Sequence, residues 1–211
     1  MISISFEDST KILEIPDGQV VGLFGKNGSG KTTLLKKIHD SNMVYITDGQ
    51  SLFDEMTALD HKKFFSHFYD KFNAERFDKL MELFELEKDN LVKNYSKGQR
   101  SKLELAIGFC IGSKYILMDE PFLGNDPFMR SDFLKIMAGL LEDDSILIIA
   151  THYLEEIENF IDRAVFMNYH KIVKDITMEE LIDNGSNLLD TAREVFGVDD
   201  NRVMSIFLEE N

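Results

Sequence analysis

Two periodicities alternate along this chain. Ile2 to Phe6 and Ile12 to Ile15 alternate apolar and polar positions and predict short strands, with Pro16-Asp17-Gly18 as a turn. Val20-Val21-Gly22-Leu23-Phe24 is a continuous apolar run, as a strand covered on both faces requires, and Thr33-Leu34-Leu35-Lys36-Lys37-Ile38 changes to helical spacing. Between residues 57 and 92, Phe64, Phe65, Phe68, Tyr69 and Phe72 recur at three and four residue intervals, followed by Phe77, Leu80, Met81 and Phe84. This predicts a helical insert whose rings pack an ordinary core, the alternative being that Phe64, Phe68 or Tyr69 line a surface groove. Lys102 to Ile111 reads as a further amphipathic helix. Tyr115-Ile116-Leu117-Met118 and Ser145-Ile146-Leu147-Ile148-Ile149-Ala150 read as central parallel strands. Ala164 to Met167 and Ile172-Val173 predict a hairpin, and Thr177-Met178-Glu179-Glu180 is a capping box opening a helix. The pattern describes an α/β fold with a mostly parallel core sheet.

The segment joining the first buried strand to the first helix carries the chemistry. Gly25-Lys26-Asn27-Gly28-Ser29-Gly30-Lys31-Thr32 is a complete G-x-x-x-x-G-K-[ST] phosphate-binding loop, followed by Thr33. A strand, a glycine loop and a helix in that order leave successive backbone N–H groups aimed inward at the positive end of a helix dipole, where a polyphosphate fits. Lys31 would reach the β- and γ-phosphates, and the Thr32 hydroxyl would take one position on Mg²⁺. The two later strands end in Asp119-Glu120 and Thr151-His152. Ligands of open α/β sheets bind at the carboxyl ends of strands, so these residues are expected to converge on the loop.

Composition narrows the setting. A chain of 211 residues with 44% hydrophobic positions and 3 prolines suits one α/β domain with a small appended subdomain. Its 23 Lys and Arg against 38 Asp and Glu give a net charge of -15, which argues against nonspecific contact with nucleic acid. Cys110, within an apolar helix, reads as a small buried hydrophobe. No signal peptide is apparent after Met1 and no apolar run approaches the ~18 residues that span a bilayer, so a cytosolic or peripheral protein is expected.

These motifs, in this order, resemble the ATP-binding subunits of ABC transporters, and the likeness covers most of the chain. Asn94-Tyr95-Ser96-Lys97-Gly98-Gln99 is similar to the family signature L-S-G-G-Q, with Lys97 in place of its first glycine. Asp119-Glu120-Pro121 and the following residues to Asp126-Pro127 resemble the Walker B motif and D-loop, and His152 matches the switch histidine. The resemblance implies a P-loop NTPase fold in a single domain over 1–211. It carries a reduced N-terminal antiparallel β subdomain, a helical subdomain over about 57–113, and a carboxy-terminal hairpin and helices over about 164–211.

The resemblance also implies Mg²⁺-dependent ATP hydrolysis. In that scheme Asp119 orients the metal, Glu120 polarises the attacking water and His152 bridges the γ-phosphate. Gly25 to Thr33, with Gln99 and Asp126, bind the nucleotide, and Ser96 and Gly98 act across a head-to-tail dimer with a second copy or a related ATPase subunit. The domain would sit on the cytoplasmic side of the membrane, drive separate integral membrane subunits and most resemble exporters; a soluble ABC ATPase outside transport is the alternative. Lys97 either attracts phosphate or sits in solvent. The family's Q-loop glutamine corresponds either to Asp48, which would then be a metal ligand, or to Gln50. Phe6 is the better candidate for stacking on adenine, and Tyr45 the poorer.

Overall fold

The computed structural model describes residues 2–5, 12–121 and 127–197. Strands β1 (Ile2–Ser5) and β2 (Ile12–Ile15) pair antiparallel, Ile2 opposite Ile15, as a small separate sheet. The main sheet is built from β3 (Val20–Phe24), β4 (Met43–Ile46), β5 (Tyr115–Asp119), β6 (Ile146–Ala150), β7 (Arg163–Asn168) and β8 (Lys171–Thr177). Its order is β4-β5-β6-β3-β7-β8, parallel throughout except for β8, which turns back antiparallel to β7.

The apolar runs of the central strands follow from their position between two layers. Successive side chains point to opposite faces. Leu23, Leu117, Ile146 and Ile148 join Leu34 and Leu35 of helix α1 (Lys31–Ile38), whereas Phe24, Met118, Leu147 and Ile149 join the core on the other face. That second core extends without a break into helices α2 (Ala58–Phe68), α3 (Ala74–Leu83) and α4 (Lys97–Cys110), burying Phe77, Leu80, Met81 and Phe84. Helix α4 lies so close to β4 that a Cβ on Gly108 would come within 2.5 Å of the Ile46 side chain, which would have to shift to admit it. Cys110 is buried in the same core, which pushes its thiol up to about 12. Helices α5 (Pro127–Leu140), α6 (Leu154–Ile157), α7 (Met178–Asp183) and α8 (Leu188–Phe196) follow among the described residues.

The first aromatic stripe departs from the core reading. Phe68 is 64% exposed and Phe53 48%, and their rings form a chain with Phe64 at centroid distances of 4.7 and 5.5 Å. The stripe beginning at Phe77 is internal, as the periodicity predicts. Among the described residues no helix is long and apolar enough to cross a membrane.

Candidate nucleotide site

The loop between β3 and α1 is held by its own backbone. Ser29 N–H donates to Lys26 O at 3.0 Å and Leu34 N–H to Gly30 O at 2.8 Å, while Gly28 and Gly30 take φ of 79° and 103°, open to glycine at no steric cost. Helix α1 begins without a side-chain cap and without an acidic residue in its first turn, so its leading N–H groups face the loop interior uncompensated. Lys31 is buried, and its ammonium donates to Gly25 O at 2.8 Å, folded across the mouth of the loop. Residues 27–33 line a cavity of about 410 Å³ together with Glu120 and His170.

Parallel pairing of β3, β5 and β6 brings the distant motifs to this cavity. The Thr32 hydroxyl donates to Asp119 Oδ1 at 3.1 Å, and the Tyr45 hydroxyl donates to Asp119 Oδ2 at 2.9 Å. Burial, then this bond to a carboxylate, raises the Tyr45 phenol above its usual range, so it stays a donor. Two hard oxygens side by side, one an alcohol and one a carboxylate, are a donor set that fits Mg²⁺. Glu120 follows Asp119 in a left-handed conformation, φ 52°, with its N–H donating to Ala150 O at 2.8 Å. One carboxylate oxygen lies 2.9 Å from His152 Nδ1 and the other 3.7 Å from Lys31 Nζ. The carboxylate is thus strung between the loop lysine and the histidine at the end of the neighbouring strand.

The remaining expectations fall elsewhere. Ser96 caps α4 in a capping box with Gln99, with bonds of 3.3 and 2.9 Å, and neither they nor Gly98 line the cavity of their own chain. Asp48, expected at the metal, turns to α4 instead: Oδ2 lies 2.6 Å from the Lys97 ammonium, and Oδ1 accepts from the Ser101 hydroxyl at 2.7 Å. This pairing ties the exposed Lys97 to Asp48. One face of α4 grips the whole segment after β4. Arg100 bonds Gly49 O at 3.2 Å and Asp54 at 2.6 Å, and the buried Glu104 accepts from the Thr47 hydroxyl at 2.8 Å and Gly49 N–H at 2.6 Å. The Gln50 N–H caps back onto the Thr47 hydroxyl at 3.1 Å, and Gln50 does not line the cavity. Phe6 and Asp126 lie outside the described residues.

Sequence reasoning missed two residues of the site. Tyr45, weighed only for adenine, is the second partner of Asp119, and His170 reaches the loop from the β7–β8 turn. The signal for His170 was a tight hairpin whose turn, Tyr169-His170, has no glycine.

Comparison with known proteins decides the family. A family model described as ABC transporter matches residues 11–41 and 36–123, more than half of the 211 residues. The chain belongs to the ABC transporter family, as an ATP-binding domain. It is 30% identical over 195 residues to the ABC transporter ATP-binding protein YtrB of Bacillus subtilis, covering 80% of this chain and 66% of that protein. The chain therefore spans just under two thirds of the length of this relative. In fold it is similar to a solved ATP-binding subunit of an ABC transporter, with a TM-score of 0.78 at 22% identity over 88% of this chain and 91% of that one. It also resembles the dimeric ATP-binding cassette MJ0796 bound to ADP and Pi, with a TM-score of 0.68 at 17% identity over 84% of this chain and 96% of that one. An ABC transporter ATP-binding domain accounts for the phosphate loop, the mostly parallel sheet and the two strand-end acids together.

Proposed function

We propose that this domain binds ATP with Mg²⁺ between the phosphate loop and the strand-end acids, hydrolyses it, and drives a separate membrane protein. The observation that carries the reading is Glu120, held between Lys31 and His152 at the rim of the loop. A carboxylate placed there accepts a proton from a water facing the terminal phosphate, and the imidazole beside it fixes the direction in which that carboxylate points. Lys31, no longer needed on Gly25 O, turns its ammonium to the β- and γ-phosphate oxygens. Backbone N–H groups of residues 25–33 take the remaining phosphate oxygens. Thr32 and Asp119 would hold Mg²⁺, which when bound neutralises charge accumulating on the terminal phosphate.

Ser96, Gly98 and Gln99 stand at an exposed helix N-terminus away from their own cavity, as they must if they serve the nucleotide of a second copy or a related subunit. The MJ0796 cassette, dimeric with ADP and Pi, supports that arrangement. We take residues 1–211 as a single domain, with a helical subdomain over about 57–113 and a carboxy-terminal hairpin and helices over about 164–211. Between α2 and β4 a groove of about 450 Å³ is lined by Leu52, Phe65, Tyr69 and Ile111. It suits a short amphipathic helix of the membrane partner, which would hold the domain at the cytoplasmic surface. The direction of transport is proposed as export, from the resemblance of the segment after His152.

The test is kinetic. Lys31→Ala should abolish ATP turnover with the fold intact. Glu120→Gln should keep nucleotide binding, lower turnover by at least 100-fold and accumulate an ATP-dependent dimer on gel filtration. Wild-type turnover in either variant at saturating ATP would sink the assignment.

A further inference from the structure

The turn joining β7 to β8 carries two side chains in left-handed backbone. Asn168 pairs with Lys171, so the hairpin has two central residues, and Tyr169 and His170 take φ of 46° and 62°. This is the mirror-image turn that Asn-Gly fits freely; in a residue with a side chain, left-handed backbone costs roughly 1–2 kcal/mol. Tyr169 is 83% exposed, and His170, also exposed, has its ring beside Gly30 of the phosphate loop. The His170 N–H donates to Ser29 O at 2.8 Å, and its ring lies so close over Gly30 that a Cβ there would meet Nδ1 at 2.5 Å. Gly30 therefore serves both its own φ of 103° and this approach. The same ring borders the cavity formed by residues 27–33 and Glu120. Lys31 and the first turn of α1 supply donors from within the loop, and His170 offers an imidazole from its outer flank.

We propose that His170 is a phosphate-binding residue of the nucleotide site, donating a ring N–H to a non-bridging oxygen of the bound polyphosphate. The inference rests on the nucleotide-binding reading above. An imidazole has a ring N–H to give, and the turn sets the exposed His170 ring against Gly30 at the flank of the loop.

The experiment titrates the full chain and its His170→Gly, His170→Asn and Lys31→Ala variants with ATP and with inorganic tripolyphosphate, without metal, by calorimetry. Glycine and asparagine both accept the left-handed turn, so the hairpin survives, and His170→Gly should have a Tm equal to or above that of the wild type. Both His170 variants should bind ATP and tripolyphosphate about tenfold more weakly, the loss expected for a hydrogen bond to a charged group. The imidazole ¹⁵N resonance missing from His170→Asn should shift in the wild type on adding tripolyphosphate, which a purely structural turn residue would not do. Unchanged affinity in the His170 variants while Lys31→Ala loses binding overturns this inference and leaves the nucleotide reading standing. A wild type that binds neither ligand overturns both.

Discussion

Glu120 and His61 show how single residues are set by their surroundings. Glu120 occupies a left-handed conformation at the end of β5, and its strain is maintained by the bond from its N–H to Ala150 O and by the partners of its carboxylate, His152 and Lys31. His61 is fully buried in α2, with Nδ1 facing Thr57 O at 2.9 Å and Nε2 accepting the Phe53 N–H at 3.0 Å. That arrangement needs a neutral ring with its proton on Nδ1. Burial lowers the His61 pKa from its ordinary 6.5, against the opposing pull of Thr57 O and Asp60. The unfolded chain therefore binds the proton more readily than the folded one. The stability His61 contributes is complete above pH 6.5 and is lost as pH falls from there toward its folded-state value. Urea midpoints should decline from pH 7 to pH 5 in the wild type and decline less in His61→Gln; equal slopes would remove His61 from the pH response.

At the scale of elements, α4 and the segment after β4 form one polar unit. Lys97, Arg100, Ser101 and Glu104 recur on one face of the helix and bind Asp48, Gly49, Asp54 and Thr47. The N-terminus of α4, which presents Ser96 and Gly98, is thereby fastened to the segment that leaves β4 beside Tyr45 and Asp119. The Asp48 side chain is 4% exposed and that of Lys97 53%, so the carboxylate is the member that suffers when the pair is broken. Lys97→Gly should destabilise the fold by about 1–3 kcal/mol, and Asp48→Asn by a similar amount. The double variant should lose less than the sum of the two, as urea denaturation of all four proteins would show. An Asp48→Asn protein of unchanged stability but raised Mg²⁺ requirement in the ATPase assay would instead return the carboxylate to the metal.

At the scale of the whole molecule, the dominant quantity is the net charge of -15. Two copies approaching head to tail repel each other over a distance set by the Debye length, about 30 Å at 0.01 M salt and about 8 Å at 0.15 M. Nucleotide-free protein should be monomeric in dilute buffer, and the ATP-dependent dimer of Glu120→Gln should tighten as salt rises from 20 to 200 mM, as followed by sedimentation. A dimer that weakens with salt would show that complementary patches outweigh the overall charge. The hydrophobic surface works the other way: Phe53, Phe68 and Tyr69 leave exposed rings beside the α2 groove, and a partner covering them removes apolar area from water.

The sequence by itself determined what depends on neighbouring residues. The phosphate loop is legible because its glycines, Lys31 and Thr32 are consecutive and their backbone shape is local. The central strands are legible because a strand covered on both faces must be apolar throughout, and the capping box at Thr177 because it closes within one helical turn. Tertiary structure decided which distant groups touch. The order β4-β5-β6-β3-β7 sets Tyr45 beside Asp119 and Glu120 beside His152, and it brings the turn after β7 onto Gly30. It also decided that Asp48 meets Lys97, a contact between a loop and a helix face that neither motif announces. The same period of aromatics lies buried on α3 and partly exposed on α2, because a helical repeat states which residues share a face, while only the packing of the other elements determines whether that face is covered.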